Sequence, residues 1–425
     1  MTTDGNALVH HRSVFDDWRS IAIGIYMALV GYGVLVGIPV ISTAWVGQLG
    51  FSEIQVGRVA GADLGGLSVG AVLASLIVAT VNRRLIIVGS IIIAIAANAL
   101  CMVFLTYEWT LWLRFIAGVG SGIYTAIAIA TLGGSSTPAR TFNLLLFAFA
   151  FSQAGELYVL PMLSINSIYT VFIAGYLLTL PFLHWVPPRP VDKTLDVEID
   201  VAEAGGGHHI EHRHVPAWVP WLVLATVTFT YINIGAYWTY IELASFNSDA
   251  SPGWVSKLLV YASFLSIVAC LFSTAISNRF GLARPMIATL ICQSIIVGML
   301  AGGINNVNIM ISLFSFNFLW IFVDVYQFAT VANVDHSGRF QALVPAAQGL
   351  GQILGPNIAA TVLAFGFGYS GVFIMCALAS LTGMLIYLSM YLRLKATLPA
   401  LADASRLRRS TMRSLSVPGI TALRT

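Results

Sequence analysis

Twelve stretches of roughly twenty apolar residues, divided by short polar turns, run through this 425-residue chain, and no water-soluble fold can bury them all. Crossing about 30 Å of hydrocarbon takes about 20 residues of helix, and backbone facing lipid must satisfy its own hydrogen bonds. Helices are therefore expected at 20–46, 56–81, 85–106, 110–133, 141–163, 167–186, 218–245, 254–278, 285–304, 308–331, 341–365 and 370–394. Charged residues make up 9% of the chain and apolar ones 58%, against about 25% charged in a soluble domain. The expected fold is an all-α membrane protein with twelve transmembrane helices. Asp16, Asp17 and Arg19 precede the first stretch and no small-residue cleavage site follows it, so it reads as a retained helix.

Charge outside the helices orients the chain. With both termini cytoplasmic, all but three of the 21 Lys and Arg residues fall inside, as the positive-inside rule requires. The exceptions are Arg58 and Lys257, outside, and Arg114, within the membrane. The expected location is a bacterial inner (plasma) membrane. One long connection, PPRPVDKTLDVEIDVAEAGGGHHIEHRHVPA at 187–217, separates a six-helix half at 20–186 from another at 218–395. Its His208, His209, His212 and His214 lie among acids and glycines with no cysteine beside them, which reads as a solvated linker rather than a metal site. Residues 1–19 form a cytoplasmic segment. Residues 396–425, with Arg406, Arg408, Arg409 and Arg413, form a basic cytoplasmic tail suited to weak contact with lipid headgroups. The four cysteines, Cys101, Cys270, Cys292 and Cys376, fall in separate helices and read as small buried hydrophobes.

Motifs at matching points of the two halves sharpen the fold. Helix 2 carries Gly70 and ends LIVATVNRR, with Arg83 and Arg84 closing the motif and Ala79 where an acid is common. Between helices 8 and 9 the chain reads ISNRFGLARP, with Asn278 at the acid's place and Arg279, Gly281 and Arg284 kept. Helix 4 holds RFIAGVGSG, from Arg114 to Gly122. Over residues 20–395 this pattern resembles the major facilitator superfamily, whose 2–3 loop carries G-x-L-A-D-R-x-G-R-R and whose fourth helix has an arginine followed by spaced glycines. The resemblance implies two pseudo-symmetric six-helix bundles that rock about a midplane site, the loop motifs serving as gating elements. It also implies that Arg114 can project into the central cavity. Helix 5, NLLLFAFAFSQAGELYVLPML, lacks the G-P motif of many drug:proton antiporters in that superfamily.

Asp63, Arg114, Glu156, Glu242 and Asp324 stand inside apolar stretches. A charge at membrane depth costs several kcal/mol unless it is paired or faces water, so each is a functional candidate. At about 1.5 Å per residue, Asp63, Arg114 and Glu156 share a layer roughly 6–11 Å below the outer surface. Arg114 can neutralise one of these acids and leave the other to carry a proton; a static bridge between helices is the alternative. Glu242, near the outer end of helix 7, has headgroups or water within reach, whereas Asp324 lies beyond the midplane of helix 10 and needs a partner or a cavity.

Rings and amides gather around these charges: Tyr26 and Tyr32 on helix 1, Tyr231, Asn233, Tyr237, Trp238 and Tyr240 on helix 7, and Asn317, Trp320, Tyr326 and Gln327 on helix 10. Trp320 and Asp324, four residues apart, share a face. A cavity lined by Tyr26, Tyr237, Trp238, Asn317, Trp320 and Gln327 suits a small amphipathic or aromatic solute, though ordinary helix packing accounts for many such rings. Helix 1, with Gly24, Gly31, Gly33 and Gly37 before Pro39, and helix 11, with Gly349, Gly351 and Gly355 before Pro356, can bend or pack closely.

No nucleotide-binding loop, metal-ligand pair or nucleophile motif is present, so neither an enzyme nor a cofactor is expected, and nothing points to nucleic acid. The expected protein is a monomer whose partners are a small solute, protons and membrane lipids. The expected activity is proton-coupled uptake of a small organic anion, for instance an aromatic carboxylate. Arg114 would meet the anion, and Glu156, Asp324 and Asp63 would carry protons. Export of an amphipathic or cationic compound by proton antiport, and a sensor that binds without transporting, are the competing readings.

Overall fold

The computed structural model describes residues 14–78, 81–135, 138–188, 216, 218–246, 248–276, 282–334 and 339–397. Most of the linker, the basic tail, residues 1–13, Arg279 and Gly281 lie outside these. The first half contains α1 (Trp18–Leu49), α2 (Glu53–Ile77), α3 (Arg83–Val103), α4 (Tyr107–Gly133), α5 (Pro138–Val159) and α6 (Ile165–Leu177). The second contains α7 (Val219–Phe246), α8 (Pro252–Ser263), α9 (Leu265–Ile276), α10 (Ala283–Gly298), α11 (Asn306–Val334), α12 (Arg339–Ala364) and α13 (Gly368–Thr397). Together α8 and α9 form one crossing, giving twelve.

Local chemistry sets the ends. Gly50, at φ 69°, closes α1 with its N–H on the Val46 carbonyl, a left-handed cap that favours glycine. Ser52 and Gln55 open α2 as a reciprocal capping box, and Asn82 caps α3 by accepting from the Arg84 N–H. Three departures from the sequence expectation stand out, two of them with visible causes. Helices 5 and 6 stop early and finish in 3-10 turns at Leu160–Met162 and Leu180–Trp185, where Pro161 and Pro181 cannot continue an α-helical ladder. The eighth crossing breaks at Phe264. Finally, eleven helices among the described residues are long and apolar enough to cross a membrane; α12 is the twelfth crossing, with two prolines inside it and glutamines at 341, 348 and 352. It packs on both α7 and α2, and Gln352 is buried and Gln348 half-buried, so these two face protein more than lipid.

Within the first half α4 packs on α1, α2 and α3, and within the second α7 packs on α12 and α13. A Cβ added at Gly66 or Gly70 of α2, or at Gly118 or Gly122 of α4, would strike the backbone of the facing helix. Gly351 and Gly355 of α12 stand in the same relation to α7. Small residues therefore set both separations. The halves meet where α2 lies on α12, α1 on α7 and α5 on α8. Every residue of α7 from Thr230 to Ser245 is buried, which puts this helix on the seam.

Candidate functional site

The deep charges of the first half separate into a pair and a single acid. Arg114, 1% exposed, donates from Nε and Nη2 to Asp63 Oδ2 at 2.8 and 2.6 Å and from Nη1 to Asn98 Oδ1 at 2.7 Å. Its guanidinium also lies 5.4 Å from the Tyr169 ring, and the Tyr169 hydroxyl accepts from Trp45 Nε1 at 3.0 Å. Elements α1, α2, α3, α4 and α6 thus converge on one sealed cation. Each contact comes from the first half, so Arg114 turns into its own bundle rather than toward the seam. Asn98 and Tyr169 went unnoticed in the sequence; an isolated amide in IIIAIAANALC was the available signal.

Glu156 takes no part in that pair. Its Oε1 accepts from Ser152 at 3.1 Å, and its Oε2 is buried without a hydrogen-bond partner. Gly33 and Gly37 of α1 face it: a Cβ added at either would lie 3.6 Å from Oε2, at ordinary contact distance. Phe149, Ser152 and Glu156 lie along one face of α5 by helical spacing, and all three are half-buried. Phe149 meets Tyr32 of α1 edge-to-face at 6.1 Å.

Across the seam, Asp324 is held by neutral groups. The Tyr231 hydroxyl lies 3.0 and 2.8 Å from its two oxygens, and Gln348 of α12 donates to that hydroxyl at 2.9 Å. Trp320, one turn earlier on α11, shares a helix face with the carboxylate, and Tyr32 of the opposite half lies near it. Asp324 is half-buried. Four helices, α1, α7, α11 and α12, therefore surround one acid with rings and an amide.

The remaining candidates divide by where their side chains point. Trp238 donates to the Val36 carbonyl of α1 at 3.3 Å and meets Trp320 edge-to-face at 5.9 Å, so both stand at the seam. Tyr237 instead stacks on Phe316 at 3.9 Å and bonds Ser312. Asn317 caps back on Leu313, Gln327 donates to Thr230, and Tyr26 donates to the Gly175 carbonyl of α6. These four are engaged inside their own bundles. Arg83 lies over Phe15 at 5.0 Å, and Arg84 ties α3 to the chain after α6 through the Val186 and His184 carbonyls at 2.8 and 2.7 Å. Arg284 is exposed at the start of α10.

Two expectations are corrected. Glu242 is 3% exposed and sits beside Thr43 of α1, with Oε2 unpartnered; α7 carries it into the seam, away from headgroups. Cys292 is exposed and Cys270 half-exposed, unlike the buried Cys101 and Cys376.

A model of the Major Facilitator Superfamily matches residues 21–356. The chain belongs to this superfamily. It is a multi-pass integral membrane transporter and not an enzyme. The transporter superposes on the nucleoside transporter NupG with TM-score 0.65 at 13% identity, over 88% of this chain and 99% of that one. It superposes on the POT family transporter PepTSo with TM-score 0.70 at 12% identity, over 89% and 98%. A structure of proton dependent oligopeptide transporters gives 0.66 at 14% identity, over 89% and 99%. At such identities the likeness is one of fold. No curated protein matches the sequence.

Proposed function

We propose that this transporter couples proton movement to the uptake of a small, polar, ring-bearing solute by alternating access, with Glu156 and Asp324 as proton carriers. The observation that carries the reading is that each half holds one half-buried acid whose hydrogen-bond partners are neutral, the Ser152 hydroxyl at Glu156 and the Tyr231 hydroxyl at Asp324. An acid without a cation in a low-dielectric site gains most from taking up a proton. Nucleoside and proton dependent oligopeptide transporters among the structural neighbours are consistent with such cargo and coupling. Tyr32, Phe149, Trp320 and Trp238 supply ring surfaces, and Gln348 and Tyr231 supply polar contacts.

An organic anion held by Arg114 would require that guanidinium to leave Asp63 and Asn98, so a neutral solute fits better. Export of an amphipathic cation is favoured by one specific feature, the Asp324 carboxylate among Tyr231, Trp320 and Tyr32. The arginines at the 2–3 and 8–9 loops support the expectation that both termini are cytoplasmic.

Purified protein in liposomes, given radiolabelled nucleosides and dipeptides under imposed pH gradients, tests the reading. Entry with protons supports it. Exchange against protons would establish the export reading in its place, and binding without counterflow would establish a sensor.

A further inference from the structure

At the α1–α2 loop end the halves are joined by side-chain hydrogen bonds. Arg58 of α2 donates from Nη1 to the backbone oxygen and Oδ1 of Asn357 at 3.1 and 2.9 Å, and from Nη2 to Thr361 Oγ1 at 2.9 Å. Tyr240 of α7 donates to the Glu53 carbonyl at 2.9 Å. The acceptors that Arg58 meets are all uncharged, so its positive charge is hydrogen-bonded but not neutralised. Its Nε–H and the second Nη2 proton remain available for an anion.

Below Arg58 a groove of about 300 Å³ runs along the seam. It is lined by small residues of α2 (Gly61, Ala62 and Gly65), by Trp112 and Phe115 of α4, and by Ile353 of α12. Trp112 is 65% exposed and Val69, farther along α2, is 39% exposed, and on a multi-pass membrane protein these surfaces face lipid. Arg58 is five residues from the start of α2, about 8 Å along the axis and five residues nearer the loop end than Asp63, toward the headgroup layer. Trp109 and Trp112, both exposed in the first turns of α4, mark the same level as an aromatic belt. Glu53 and Glu108 lie at this end of the molecule but do not line the groove.

We propose that this groove is a binding site for an anionic phospholipid, with the phosphate on Arg58 and one acyl chain along Gly61, Ala62 and Gly65 against α12. Charge and shape select the same occupant. The uncompensated guanidinium stands where a phosphate resides, and the apolar groove extends from it in the direction an acyl chain takes. The site bridges the two halves through α2 and α12, so an occupied groove favours the packing in which this end is closed. The proposal is independent of the transported solute.

Thermal unfolding of the purified full chain in detergent tests it, with phosphatidylglycerol, phosphatidylcholine of the same chains, or inorganic phosphate added. Phosphatidylglycerol is expected to raise the melting temperature most, and the gain to disappear in Arg58→Gln and in Ala62→Phe. The second variant fills the groove while leaving the Arg58 hydrogen bonds in place, so it separates lipid binding from weakened closure. The proposal is overturned if wild type shows no gain with phosphatidylglycerol, if phosphatidylcholine does as well, if phosphate alone reproduces the gain, or if Ala62→Phe keeps it.

Discussion

Asp63 in the first half and Asp324 in the second are both acids deep in helical bundles, yet they are solved differently. Asp63 is sealed against Arg114, whose other donor is taken by Asn98. Asp324 has a phenol and, one bond further out, an amide. A buried ion pair with its hydrogen bonds filled is hard to open, because separating it strands a charge in a low-dielectric interior. A carboxylate held by neutral donors can change protonation without leaving a counter-charge behind. The contrast is the basis for the proposal that the first acid is structural and the second, with Glu156, carries protons.

The largest expected effect breaks the sealed pair. Arg114→Ala should cost about 3–5 kcal/mol by leaving Asp63 unpaired, read as a large drop in melting temperature or loss of folded protein. The double change Asp63→Asn with Arg114→Gln should recover much of that loss. If Arg114→Ala is stable and only loses solute affinity, the pair is not structural and the comparison fails.

Tyr231→Phe probes the other acid more gently. Removing a hydroxyl that donates to an ionised carboxylate costs about 1.5–3 kcal/mol, and about 0.5–1.5 kcal/mol if the acid is neutral, so the measured stability loss reports which form Asp324 takes at rest. The smallest effect is at the seam. Trp238→Phe removes one hydrogen bond of 3.3 Å to Val36, worth about 0.5–1.5 kcal/mol, and should loosen the α1–α7 contact with little change in either bundle. Unchanged reactivity of single cysteines introduced along α1 would show that this bond does not hold the halves together.

Much of the fold was legible because spans, loop charge and the glycine spacing of RFIAGVGSG report lipid thickness and close helix packing, which are one-dimensional constraints. The shared face of Trp320 and Asp324 was legible for the same reason. The partners of Arg114 were not. Depth along each helix places Asp63, Glu156 and Arg114 in one layer, but rotation about each axis decides which of them touch. That rotation depends on packing at Gly66 and Gly118, contacts that lie far apart in sequence. Glu242 shows the same limit: its depth near a helix end suggested solvent, while α7, buried on all sides there, placed it in the seam. Tyr237 and Gln327 lie on a ring-rich helix and an acid-bearing one, yet turn into their own bundle.

The most direct test uses a nucleoside or dipeptide that stabilises the purified protein, as a bound solute must by mass action. Its gradient-driven accumulation and its equilibrium exchange are measured in liposomes for wild type, Glu156→Gln and Asp324→Asn. The assignment predicts that both variants lose accumulation under an inward proton gradient while exchange between the two sides persists. Accumulation in Asp324→Asn equal to that of wild type would contradict it.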